Sequence, residues 1–139
     1  MAAYLKSLPQ NDEQSDGSDR LSFHDVTVMM IPGAQIYTKH CAACHQPKGQ
    51  GVASIYPPLA GNRALTMQSA ANPIRMVLNG GYPPSTEGNP RPYGMPPFVH
   101  VLNAEETAAV VTYIRNSWGN HAEVVSPTDV GRFVGTPLE

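Results

Sequence analysis

Both cysteines of this chain lie in one pentapeptide, Cys41-Ala42-Ala43-Cys44-His45, and no other feature restricts the possible folds as strongly. Thiols three positions apart face the same side of one helical turn, and the imidazole follows at once. A disulfide across so short a span is a redox device rather than a staple. It would need a thioredoxin-like βαβ setting, whereas the flanking apolar positions Ile36, Tyr37 and Ala43 have helical spacing. Zinc would need a fourth ligand. His40, His100 and His121 are available, yet no second ligand pair has finger spacing. The reading favoured by C-x-x-C-H is covalent attachment of a c-type haem, with two thiols adding to the vinyl groups and the histidine taking the iron. A chain that uses its cysteines this way must fold around a large planar body.

Composition agrees with that demand. The chain has 139 residues, the size of one domain with room for tails. Fourteen prolines and twelve glycines imply long loops held by something other than regular structure. The net charge of −2 provides no basic field for nucleic acid. The longest apolar run, Val28 to Ile31, is far shorter than the ~20 residues that span a bilayer. Met1 to Leu8 lacks the apolar block of a secretory signal.

Three helices can be placed. The first is expected from Pro32 to about Cys44, preceded by a strand or extended wrap over Leu21 to Ile31. The second is expected to start at Asn72 as N-cap with Pro73 following, and to stop at Gly80-Gly81. The third opens on Asn103 with Glu106 three residues on, a capping-box pair, and carries an apolar stripe through Ala109, Val110, Tyr113 and Ile114. Between the last two, Tyr82 to Phe98 holds six prolines in 17 residues and can be neither helix nor central strand. Residues after 120 read as an irregular tail.

The iron's second axial ligand decides whether the site moves electrons or does chemistry. Met95 is the candidate. It stands in Tyr93-Gly94-Met95-Pro96-Pro97-Phe98, 50 residues beyond His45, which is enough chain to pass around the ring. Gly94 permits a close backbone approach, and the prolines limit the loop's freedom to leave. Met67 and Met76 have helical or near-helical surroundings suited to packing; His100 or an open position are the competing arrangements. His45 and Met95 are thus the expected metal ligands, with both faces of the iron filled, which predicts outer-sphere electron transfer. Pro58 is the expected source of a carbonyl for the His45 Nδ1–H. Arg75 is expected to pair with a haem propionate, and Asn62 and Arg63 are further candidates for that role.

Gly33, Tyr37, Cys-Ala-Ala-Cys-His, Pro57-Pro58-Leu59-Ala60-Gly61-Asn62, Asn72-Pro-Ile-Arg75, Gly80-Gly81 and Met95-Pro-Pro-Phe98 together resemble class I cytochromes c. More narrowly, they resemble the last haem domain of the triple-haem cytochrome c subunit of bacterial membrane-bound dehydrogenases acting on alcohols, gluconate, sorbitol, fructose or glucose. The resemblance implies an all-α fold of three to four helices and long Pro/Gly-rich loops around one covalent haem c. It also implies that the first and third helices cross, Gly33 and Tyr37 meeting Tyr113 and Ala109. It divides the chain into a remnant of a preceding domain's helix (1–9), a linker (10–31), the haem domain (32–120) and a C-terminal tail (121–139).

The implied function is electron relay within a complex rather than catalysis by this chain. The implied partners are a catalytic dehydrogenase subunit carrying flavin or PQQ, sibling haem domains, and a quinone or oxidase acceptor, at the periplasmic face of the bacterial inner membrane. Two departures stand out. Only one C-x-x-C-H is present, and Val124 to Glu139 does not match the family's amphipathic membrane anchor. The competing functional readings are a freely diffusing mono-haem carrier, and a haem enzyme or sensor with a displaceable axial ligand.

Overall fold

The computed structural model describes residues 23–135; the helix remnant and most of the linker expected N-terminal to them, and the last four residues, lie outside the described residues. Six helical segments follow one another: α1 (Phe23–His40), α2 (Ala42–His45), α3 (Arg63–Thr66), α4 (Ala71–Asn79), α5 (Ala104–Arg115) and α6 (Pro127–Gly131). Among the described residues the only β pairing is three isolated bridges. The architecture is the expected all-α one.

Helix α1 begins nine residues before the expected start at Pro32, so Phe23 to Ile31 is neither strand nor extended wrap. The apolar stripe explains this. Met29, Met30, Gly33, Ile36 and Tyr37 keep a three-to-four spacing straight through the proline, and tertiary packing of that stripe outweighs one lost backbone bond. Pro32 itself is exposed, so its ring disturbs only the solvent side.

The α1 stripe packs on α5. A Cβ on Gly33 would run into the Ala109 carbonyl oxygen and lie 2.7 Å from Tyr113 Cβ, so the two backbones approach as closely as glycine allows. One turn on, buried Tyr37 meets Tyr113 and Trp118 at ring-centroid distances of 5.6 and 5.0 Å. Ala109 and Tyr113 are the expected partners of Gly33 and Tyr37; Trp118 joins them. Helix α5 carries the predicted capping box in full, Asn103 Oδ1 accepting from Glu106 N–H at 2.8 Å and a Glu106 carboxylate oxygen accepting from Asn103 N–H at 2.9 Å. Ile74, Val77 and Leu78 turn one face of α4 into the same core. Helix α4 starts slightly before the expected Asn72: Ala70 is its N-cap, and the Ser69 hydroxyl accepts from Ala71 N–H.

The segment beyond residue 120 is more ordered than an irregular tail. Ser126 and Asp129 form a second capping box at the start of α6, and Val125 and Val130 are fully buried. What holds this segment is Arg115, a guanidinium only 1% exposed. It donates to the Leu65 carbonyl at 2.8 Å, the Met67 carbonyl at 2.6 Å and the Glu123 carbonyl at 2.8 Å. One buried cation thereby ties the α3–α4 loop and the C-terminal segment to the end of α5. Arg115→Leu leaves these carbonyls without donors and is expected to cost roughly 3–5 kcal/mol, at about 1–3 kcal/mol per buried unsatisfied group partly relieved by water. Chemical denaturation of the variant beside the parent checks this.

Candidate haem site

The C-x-x-C-H segment closes α1. Its amide donors continue the helical ladder, Cys41 N–H bonding to Tyr37 O at 2.9 Å and His45 N–H to Cys41 O at 2.9 Å. Helix α2 is a single turn ending at His45, and Gln46 then leaves the helix at φ +68°. Both thiols are free; Cys41 is partly buried and Cys44 exposed. Burial pushes the Cys41 thiol up to about 11, with Cys44 adding to the effect.

His45 Nδ1 lies 3.1 Å from the Pro57 carbonyl. That contact calls for the Nδ1–H tautomer and leaves Nε2 as the ring's lone-pair donor. The sequence pointed to Pro58 for this carbonyl. In the fold the Pro58 carbonyl accepts instead from the Asn62 side-chain amide at 3.1 Å. The other end of Asn62 caps α3, accepting from Ala64 N–H at 3.1 Å. The Asn62 oxygen and one of its two N–H donors are therefore engaged on its own loop.

Tyr37 locks the loop beyond. Its hydroxyl donates to the Gln46 carbonyl at 2.6 Å, and burial pushes its pKa up to about 12, with Cys41 and Tyr113 adding to the shift. A phenol held neutral by the fold contributes stability that is fully present below the ordinary value of 10 and is lost as pH rises through about 12. Alkaline unfolding of the parent is expected to track tyrosinate formation at Tyr37. Tyr37→Phe is expected to cost about 1–2 kcal/mol at neutral pH and to flatten that alkaline slope. Denaturant midpoints across the alkaline range check both.

Met95 is fastened on a separate loop. Its N–H and C=O pair with Gly81 O and N–H at 2.8 and 3.0 Å, and Phe98 and Val99 N–H bond to the Val77 and Leu78 carbonyls that end α4. Gly80, at φ +63°, makes this possible: any Cβ there would collide with the Met95 carbonyl oxygen and lie 2.8 Å from the Pro96–Pro97 peptide. Met95 is half-buried and packs against the core cluster, whereas His100 is exposed.

Two aromatic contacts join the Met95 loop to the cysteine turn. Tyr56 and Tyr93 stand 5.5 Å apart, and Tyr56 lies beside the Cys44 thiol. His40 meets Phe98 at 5.8 Å. Cys41, Cys44, His45 and Met95 thus belong to one locality. Arg75 on α4 has its guanidinium carbon 5.1 Å over the Phe133 ring, and its buried Nε has no hydrogen-bond partner among the described residues.

Among the described residues no three His, Cys, Asp or Glu side chains are grouped to hold a metal ion. Residues 30–118 match the family model for cytochrome c.

The chain belongs to the cytochrome c family.

This cytochrome c domain is 36% identical over 99% of its length to the cytochrome c subunit of a quinone alcohol dehydrogenase from Gluconacetobacter polyoxogenes, of which the match covers 31%. It is 38% identical over 94% of its length to the cytochrome c subunit of a gluconate 2-dehydrogenase from Pantoea cypripedii, again covering 31% of that chain. Against cytochrome c-552 of Thermus thermophilus the identity is 37% over 66% of this chain and 72% of the other. The chain therefore spans about a third of the length of the dehydrogenase subunits it resembles. The family's covalent haem c suits the donor set here: two free thiols on one turn, an imidazole nitrogen left open by its partner, and an apolar surround that includes buried Leu59.

Sequence reasoning missed Arg115 and Asn120. Asn120, 3% exposed, donates to the Leu59 and Ile114 carbonyls and accepts from Gly61 N–H, fixing the loop under the site. No local pattern marks either residue, because most of their partners lie 47–61 positions away.

Proposed function

We propose that this cytochrome c domain passes single electrons from the catalytic subunit of a dehydrogenase toward quinone or an oxidase, as one haem domain of a longer subunit at the periplasmic face of the inner membrane. What supports the reading is that each expected donor sits on a loop the fold fixes, His45 Nδ1 beside the Pro57 carbonyl and the Met95 backbone paired with Gly81. When bound, the haem supplies a reversible Fe(III)/Fe(II) couple.

The chain's own residues do the rest. Cys41 and Cys44 hold the ring by two thioethers, so His45 needs little reorganisation to bind iron. The Pro57 carbonyl holds the proton on Nδ1 through both oxidation states. Met95 supplies a neutral, soft donor that favours Fe(II) and raises the potential relative to a second imidazole. The Gly81 pairing and Pro96-Pro97 hold the loop that carries this donor, so that with haem bound Met95 would occupy the position a substrate would need. The similarity to alcohol and gluconate dehydrogenase subunits supports a dehydrogenase as electron source, with flavin or PQQ in that partner. Among the described residues no helix is long and apolar enough to cross a membrane.

The test is redox titration of the protein matured with haem. A single one-electron Nernst wave, with haem retained through acidic organic extraction, is expected. Extractable haem, or a protein that takes up no haem under conditions that mature other c-type cytochromes, would contradict the proposal.

A further inference from the structure

Asn79 and Gly80 form the chain's single Asn-Gly step: of eight asparagines, only this one precedes glycine. Asparagine before glycine is the pair most prone to lose its carboxamide. The glycine amide nitrogen attacks the asparagine Cγ, ammonia leaves, and water opens the resulting succinimide to aspartate or isoaspartate. Glycine favours the ring closure because it has no Cβ to obstruct it. The other asparagines of the described residues are less suited. Asn72 and Asn89 precede prolines, which have no amide N–H to give up. The carboxamides of Asn62, Asn103, Asn116 and Asn120 are held by hydrogen bonds. Asn79 Nδ2 is sealed from solvent without a partner, so no bond from that nitrogen holds its carboxamide.

The fold supplies a brake instead. Asn79 is the last residue of α4, and helical backbone keeps its Cγ out of line with the next nitrogen. The Gly80 N–H is already bonded to the Met76 carbonyl at 2.9 Å. Gly80 is buried against the Met95 carbonyl, and Phe98 and Val99 N–H bond to the Val77 and Leu78 carbonyls of the same turn. Attack therefore requires the Gly80 N–H to leave Met76 and the last turn of α4 to unwind, and the Met95 loop lies over that turn. We propose that Asn79 is a deamidation site that the native fold keeps shut and that opens when the Met95 loop lifts off α4. Its conversion then marks molecules that have spent time with that loop undocked. The inference rests on the packing of α4 and its loop, and not on what the iron does.

The carboxamide C–N bond breaks, one water is consumed and one ammonia departs, with no oxidant or reductant involved. Refolding does not reverse the change. The aspartate product places a carboxylate at the C-terminal end of α4, where the helix dipole is negative. The isoaspartate product adds one carbon to the main chain and shifts the Gly80 N–H away from Met76. Both loosen the turn on which the Met95 loop is docked.

Peptide mapping by mass spectrometry after incubation in mildly alkaline buffer tests this, with the haem-loaded protein beside the same protein in concentrated urea. In urea, Asn79 is expected to convert faster than any other asparagine. In the folded protein its conversion is expected to be at least about tenfold slower than in urea, because it proceeds only through a local opening. Pro96→Gly with Pro97→Gly frees the loop backbone without touching α4, and is expected to speed the folded-state conversion roughly threefold. Asn79→Asp, which carries one of the products, is expected to raise amide hydrogen exchange at Met95 and Phe98 several-fold. Equal conversion in buffer and urea would remove the brake, and conversion in urea led by another asparagine would remove the site. A Pro96/Pro97 variant that converts like the parent, or an Asn79→Asp protein with the parent's exchange at Met95 and Phe98, would overturn the coupling to the Met95 loop.

Discussion

Met95→Ala is expected to convert the haem-loaded protein from one indifferent to carbon monoxide into one that binds it readily in the ferrous state. With haem bound, His45 and Met95 would both hold the iron, and the Met95 loop is tied down by two backbone bonds to Gly81 and by the α4 carbonyls. Removing the thioether leaves those ties intact, so the loop stays and only the donor disappears. The vacated position should then accept water in the ferric form and gas in the ferrous form. The midpoint potential is expected to fall by on the order of 0.1 V, a fraction of the ~0.8 V that axial ligands span. Optical gas titration and potentiometry check the two effects. His100, though close in sequence, is exposed and is not expected to replace the lost ligand. A variant whose spectrum, gas affinity and potential match the parent's would remove Met95 from the iron.

The largest effect on folding is expected at Gly33. A Cβ at this position meets the backbone carbonyl of Ala109 and the Cβ of Tyr113, neither of which is the end of a flexible side chain. Gly33→Val must therefore push α1 off α5. That movement also separates Tyr37 from Tyr113 and Trp118, and loosens the Tyr37 hydroxyl from Gln46. The expected cost is about 4 kcal/mol or more, at the upper end for overpacked sites. For a domain of this size that is a fall in Tm of roughly 10–25 °C. Because Tyr37 precedes Cys41 by one turn, haem incorporation is expected to fall along with stability. Thermal unfolding followed by circular dichroism, with the haem-to-protein ratio from absorbance, reads both. A Tm within about 2 °C of the parent's would show that the α1–α5 contact is looser than described.

How much could be read from the residues depended on how local the cause was. The C-x-x-C-H turn, the Asn103–Glu106 box and the proline-stiff loop bearing Met95 are each written within a few consecutive positions. The Gly33–Ala109 approach could be anticipated only through the family resemblance, since nothing near Gly33 names its partner. Pro32 misled because its punctuation was weighed above the stripe running through it. The α6 helix was legible in Ser126, Pro127 and Asp129, whose capping signals match those read correctly at Asn103. The difference between Pro57 and Pro58 was out of reach: adjacent prolines offer the same carbonyl, and only the turn between Gly51 and Leu59 decides which one faces His45. The propionate roles for Asn62 and Arg75 rested on residue type alone; in the fold Asn62 caps α3 and Arg75 stacks on Phe133 with its Nε unpartnered.

The account rests on one haem held between His45 and Met95. Methyl-labelled methionine NMR of the ferrous protein tests this most directly, because a methyl group lying over the porphyrin is displaced far upfield by the ring current. One of the six methionine methyls is expected to show that displacement and to vanish in the Met95→Ala variant. Six methyls at ordinary positions, or a displaced signal that survives the substitution, would contradict it.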